Sequence, residues 1–162
     1  MNNQQLVEKI FTICTEKKYT IATAESITGG RIASELTALD GSSKIFSAGV
    51  VCYSEHSKVH SAGVDIRLVN KVGVYHEKIV AQMAERIAKR NVANIGIATS
   101  GRADTGEVFF GFYIKEKLLK TLLVNLNDEK EYKGTEKLTR VEVQNAATNF
   151  SLSYILNLLQ SV

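Results

Sequence analysis

The sequence predicts an α/β fold, and three observations carry that prediction. Apolar residues switch repeatedly between helical and extended spacing, and turn residues punctuate the switches. Two apolar runs are joined only by Lys115 to Lys117, too short a link for a crossover helix, which implies an antiparallel hairpin. The expected architecture is a three-layer αβα sandwich with a mixed sheet, and 162 residues suit a single domain spanning 1–162.

Leu6, Val7, Ile10, Phe11 and Cys14 recur on one helical face and predict the opening helix. "YTIATA" then reads as a short strand. Gly29 and Gly30 start a second helix with Ile32 and Leu36 on its inner face, and "DGSS" at 40–43 ends that unit. "KIFSAGVVCYS" predicts a buried strand ending near Tyr53, followed by a short polar helix through Lys58 and His60. "VDIRLVNKVG" reads as a helix-and-turn connection, and Ile79, Val80, Met83, Ala84 and Ile87 define a long helix ending near Arg90 and Asn91. "NIGIATSG" is a strand running into a glycine turn, and "EVFFGFYIK" and "KLLKTLLVNL" form the hairpin. Val143, Ala147, Phe150, Tyr154 and Leu158 mark a closing helix. In such sheets ligands gather beyond the carboxyl ends of strands, so the residues after "TIATA", "GVVCY" and "GIAT" form one candidate region.

Composition narrows the function classes. A formal charge of +3 and a pI near 8.8 are only mildly basic. The lysines between residues 128 and 142 alternate with Asp128, Glu129, Glu131, Glu136 and Glu142, the pattern of a solvated face. Nucleic acid, which selects uninterrupted basic stripes with stacking aromatics, is not an expected partner. The chain enters its first helix without an apolar leader, and no apolar run reaches the roughly 20 residues of a membrane span. A cytoplasmic protein with no membrane partner is the expectation. Cys14 and Cys52 stand alone in apolar segments and read as small buried hydrophobes. His56 and His60 lie four apart without a third ligand, and no zinc pattern can be written, so no metal is expected.

"ATAESITGGR" gathers Glu25, Ser26, Thr28, Gly29 and Gly30 at a strand-to-helix corner. Amides at the start of a helix suit a phosphate, a carboxylate or an oxyanion, with the Ser26 hydroxyl beside them. The same residues also make an ordinary N-cap and turn, and they satisfy neither GxxxxGK[ST] nor GxGxxG. "CYSEHSKVHS" places Tyr53 and Lys58 at the next strand end, where a lysine with a pKa lowered by burial would serve Ser26 as a base. Taken alone, Lys58 reads as a surface lysine. In "ATSGRADTGEV", Ser100, Gly101 and Arg102 follow a third strand end, and a plain loop is the simpler reading there. Arg140 opens the closing helix, where a cation opposes the dipole; a ligand anion or a surface ion pair would account for it. His76 reads as a poor helix cap, which leaves no persuasive histidine for a serine, histidine and aspartate triad.

Together and in this order, these stretches resemble the C-terminal domain of the competence-damage-inducible protein CinA, a family that includes stand-alone nicotinamide-nucleotide amidohydrolases. The likeness covers about residues 5 to 160. "TAESITGGRIASELT" is similar to the family's "AESCTGG", and "FSAGVVCYSEHSK" to its "GGVVAYSNxxK". The resemblance implies that Ser26 is the nucleophile of a serine/lysine hydrolase of the pyridine nucleotide cycle, which deamidates NMN to nicotinic acid mononucleotide and ammonia. Tyr53 and Lys58 fall on the family's tyrosine and catalytic lysine, 27 and 32 residues after Ser26. Ser100 falls on the threonine of its "TG", and Arg140 on the arginine opening its last helix.

By the same resemblance, neutral Lys58 takes the Ser26 proton, and the Gly29 and Gly30 amides hold the oxyanion. Tyr53 orients Lys58 or relays its proton to ammonia. Glu25, Thr28, Gly29, Gly30, Ser100, Gly101 and Arg140 form the substrate-binding set. No cofactor or metal is implied, and a homo-oligomer, with a dimer favoured, is expected. The family's N-terminal partner domain has no counterpart among these residues.

Ile27 stands where the family carries cysteine, Ser100 where it has threonine, and His76 where it has serine. Its "TGxAGPGGG" run is reduced to "SGRADTG", in a chain without proline, which makes Arg102 a candidate phosphate contact in place of lost backbone amides. The shortened 100–106 loop also supports an alternative: a catalytically inactive nucleotide-binding or protein-interaction relative. An esterase or amidase for an unrelated substrate is a third reading.

Overall fold

The computed structural model describes residues 1–129 and 136–162; Glu131 and its neighbours at 130–135 lie outside the described residues. Helix α1 (Asn3–Lys17) opens with a reciprocal cap between Asn2 and Gln5 and turns Leu6, Val7, Ile10 and Cys14 inward. Strand β1 (Ile21–Glu25), helix α2 (Arg31–Thr37) and strand β2 (Phe46–Val51) follow. Three helices, α3 (Glu55–His60), α4 (Ile66–Val72) and α5 (Glu77–Arg90), lead into β3 (Ile95–Arg102), β4 (Glu107–Ile114) and β5 (Leu118–Asn125). Helix α6 (Arg140–Ser161) completes the order.

The strands form one mixed sheet in the order β2-β1-β3-β4-β5. β1 is parallel to both β2 and β3, whereas β3, β4 and β5 pair antiparallel. Helices cover both faces, so the predicted αβα sandwich with a mixed sheet is the observed fold. Glu25 is in register with Val51 on one side and Thr99 on the other. That register brings three carboxyl ends to one level, with Ser26 directly beyond the central one.

The two faces of the sheet differ in side-chain size. Ile21, Ile95, Ile97, Phe110 and Phe112 fill the space under α1, α2 and α6. Ala22, Ala24 and Ala98 face α5 on the other side, with Gly96 and Gly111 beneath its backbone. A methyl group at Gly96 would overlap the Ala84 carbonyl and one at Gly111 the Val80 carbonyl, so these glycines set how closely α5 approaches.

Three expectations need correction. β2 is an edge strand whose residues alternate between half-buried and exposed, rather than a buried strand, because it has a neighbour on one side only. β3 does not stop at a glycine turn: it continues to Arg102, which pairs with Glu107 across a tight turn closed by the Gly106 N–H on the Arg102 carbonyl at 2.9 Å. His76 is a working cap, its Nδ1 accepting the Lys78 N–H at 3.1 Å. Cys14 and Cys52 are fully buried, and burial pushes their thiols up to about 12 and about 11, which leaves neither as a thiolate nucleophile. Among the described residues no helix is long and apolar enough to cross a membrane.

Candidate active site

Ser26 is the first residue beyond β1, and its N–H donates to the Thr99 carbonyl at 3.1 Å, continuing the pairing with β3 for one more residue. The chain must then reverse into α2. It does so through Gly29 and Gly30 at φ 60° and 90°, left-handed values that a side chain would strain. Arg31 steadies the turn by donating from Nη1 to the Thr28 carbonyl at 3.1 Å.

Glu25 lies beneath this corner, 1% exposed, and its carboxylate is committed to protein partners. It accepts from Thr28 Oγ1 at 2.7 Å, from the Ile32 amide at 2.9 Å and from the Ala33 amide at 3.0 Å. Because α2 begins at a glycine with no side-chain cap, Glu25 supplies the missing anion from seven and eight residues back. Thr28 is equally enclosed, its hydroxyl shared between Glu25 and Thr99 at 2.9 Å. The Glu25 and Thr28 side chains therefore support the loop from behind, with their polar atoms engaged by protein partners.

The amide inventory also moves the expected oxyanion donors. Gly29 N–H donates back to the Ser26 carbonyl at 3.0 Å, and the first amides of α2 are taken by Thr28 and Glu25. Among the described residues, the amides left without an acceptor in this corner are those of Ile27, Thr28 and Gly30. Two of them immediately follow the Ser26 hydroxyl in the chain. An anion placed beside that hydroxyl would find these two amides without another acceptor.

Lys58 reaches Ser26 from α3. A reciprocal cap between Ser54 and Ser57 starts that helix, and Lys58 is its one buried residue, 3% exposed. Its Nζ lies 3.0 Å from Ser26 Oγ and 3.2 Å from the Cys52 carbonyl, with no carboxylate in ion-pair contact among the described residues. Burial lowers its pKa below the ordinary lysine value, opposed in part by Cys52 and Glu55. A neutral amine in this position accepts the Ser26 proton on its lone pair and keeps an N–H for the Cys52 carbonyl.

Ser26 and Lys58 form the floor of a cleft of about 590 Å³. Tyr53, Gly101 and Arg140 line its walls, together with Tyr75, Arg102 and Asp104, of which Tyr75 and Asp104 escaped the sequence reading. Tyr53 accepts from Arg140 Nη1 at 3.1 Å, and no hydrogen bond joins it to Lys58, so the expected orienting contact is absent. Ser100 is fully buried and donates to the Val74 carbonyl at 3.1 Å; it ties down the segment before α5 and stands behind the cleft. Tyr75, directly after Val74, gave one usable signal in the sequence: an aromatic between Gly73, which ends α4, and the start of the next helix at His76. The His56 and His60 rings lie 4.1 Å apart, tilted by 33°, on the exposed side of α3, and among the described residues no group of three ligand-type side chains gathers.

Comparison with known proteins agrees with this arrangement at the level of family. The CinA C-terminal domain model matches residues 3–159. A CinA-like protein from Prochlorococcus marinus (strain NATL1A) is 34% identical over 163 residues, covering 96% of this chain and 37% of that protein. A putative competence-damage inducible protein from Clostridium botulinum (strain Okra / Type B1) is 35% identical over 144 residues, covering 83% of this chain and 34% of that one. The chain thus spans about a third of the length of these curated relatives. Among solved structures, a competence or damage-inducible protein from Enterobacter asburiae superposes with a TM-score of 0.86 at 26% identity, covering 98% of this chain and 99% of the other.

Proposed function

The chain belongs to the CinA C-terminal domain family, and from that premise we propose that it is a serine/lysine amidohydrolase, with NMN as the substrate that the resemblance implies. The observation that carries the reading is the buried couple of Ser26 Oγ and Lys58 Nζ at 3.0 Å, with no carboxylate in ion-pair contact with the lysine among the described residues. Ser26 Oγ attacks the carboxamide carbon while Lys58 takes its proton. The carbonyl oxygen becomes an oxyanion held by the open Ile27 and Thr28 amides. Collapse breaks the C–N bond, Lys58 returns the proton to nitrogen, and ammonia leaves behind an ester on Ser26. A water molecule, deprotonated by Lys58, then attacks the ester; nicotinic acid mononucleotide departs and Ser26 recovers its proton.

The test is ammonia release from NMN by the purified protein beside Ser26→Ala near pH 8, on the alkaline side of neutrality, where the lowered pKa of Lys58 gives it a larger neutral fraction than an ordinary lysine. Serine-dependent release is expected. Saturable NMN binding without release would replace this reading with that of a binding-only relative.

A further inference from the structure

Outside the catalytic couple, the cleft carries two pairings of an arginine with a tyrosine. On one wall Arg140 donates to the Tyr53 hydroxyl and has no acid partner among the described residues. On the other, the Arg102 guanidinium stands 5.8 Å from the centre of the Tyr75 ring, within cation–π range. Asp104 holds it from one edge, with Nη2 to Oδ2 at 3.1 Å and Nε to Oδ1 at 3.4 Å. A guanidinium has five N–H donors in a planar fork, and this carboxylate engages the Nε side. Among the described residues Nη1 has no acceptor, so the end of the fork is left open.

We propose that Arg102, fixed by Tyr75 and Asp104, is a specificity residue that takes the anionic end of the substrate at the mouth of the cleft. This rests on the amidohydrolase reading and deepens it, because it assigns a residue of this chain to the far end of the substrate. The reacting carboxamide sits at the buried floor beside Ser26, whereas Arg102 and Arg140 both stand exposed at the rim. A ligand that spans the two is an amide with an anionic group at the opposite end, which in NMN is the phosphate. A phosphate matches the open end of a guanidinium with two parallel donors, a geometry that an unphosphorylated amide lacks. The tight turn between β3 and β4 places Arg102 there, since the residue ends a paired strand and is not carried on a long loop.

The experiment measures binding in the Ser26→Ala background, so that it reads recognition whether or not the protein turns over. Isothermal titration compares NMN with its unphosphorylated riboside, and the readout is the ratio of the two affinities. Arg102→Gln is expected to lower the preference for the phosphorylated ligand about tenfold, the order expected for a lost hydrogen bond to a charged group. Arg102→Lys, which keeps the charge and loses the planar fork, should recover only part of it. An unchanged ratio in Arg102→Gln, or failure of the parent to bind NMN, overturns the proposal. If the ratio falls as expected while the protein with Ser26 intact releases no ammonia, the anion subsite stands and the hydrolytic reading fails.

Discussion

The floor and the rim of the cleft are built by different means. At the floor, Ser26, Glu25, Thr28 and Lys58 are almost wholly buried, and each is held by named hydrogen bonds to backbone or to one another. At the rim, Tyr53, Tyr75, Arg102 and Arg140 are exposed and held by one or two contacts each. Covalent chemistry requires a nucleophile, a base and oxyanion donors placed within a few tenths of an ångström, and burial in a connected network provides that. Recognition of a charged group tolerates mobile side chains in water, at the cost of weaker individual contacts.

The largest effects are expected where the floor is broken. Ser26→Ala should reduce turnover at least about 1,000-fold with NMN affinity nearly unchanged, as measured by steady-state kinetics and calorimetry. Lys58→Met should be as damaging, and the double variant little worse than either, because the two act as a unit. The same Lys58 variant sharpens the comparison through stability. A buried lysine with a lowered pKa binds its proton more weakly folded than unfolded, so stability rises with pH through the interval between the two values. At neutral pH Lys58→Met should therefore raise the melting temperature and flatten its pH dependence, even as activity disappears.

Supporting residues should give intermediate effects. Glu25→Gln leaves one α2 amide facing an NH2 group, and urea unfolding should show a loss of about 1–3 kcal/mol. Its kcat should fall more than its KM rises, since the corner that carries Ser26 loosens. Ser100→Ala should be milder, with a loss of about 1 kcal/mol in the same assay, because it removes a single neutral hydrogen bond to the Val74 carbonyl. Its effect on activity should appear in KM, through Tyr75 and Arg102 at the rim. The reverse pattern, with Glu25 acting on KM and Ser100 on kcat, would break the division between floor and rim.

How much of this was legible in the sequence follows the same division. Periodicity located the long helices, and the gathering of three strand ends at the carboxyl edge followed from alternating elements, because those features depend on spacing along the chain. Ser26 and Lys58 were visible through local motifs. The role of Glu25 was not, since its carboxylate folds back on amides seven and eight residues later, and nothing in "AESITGG" separates a cap from a ligand contact. Ser100 was misplaced for a similar reason: a hydroxyl at a strand end can face either side, and its partner, Val74, lies 26 residues away. Tyr75 entered the site through the path of the chain after α4; an aromatic between Gly73 and a helix cap marks the position but does not say what it faces.

The most direct test of the central claim is independent of substrate identity. A fluorophosphonate probe labels an activated serine, and mass spectrometry follows the rate of adduct formation on Ser26 as a function of pH in wild type and Lys58→Met. The account predicts labelling confined to Ser26, with a rate that climbs through an apparent pKa below the ordinary lysine value and collapses in the variant. Equal labelling in both proteins, or none on Ser26 in the folded wild type, would contradict it.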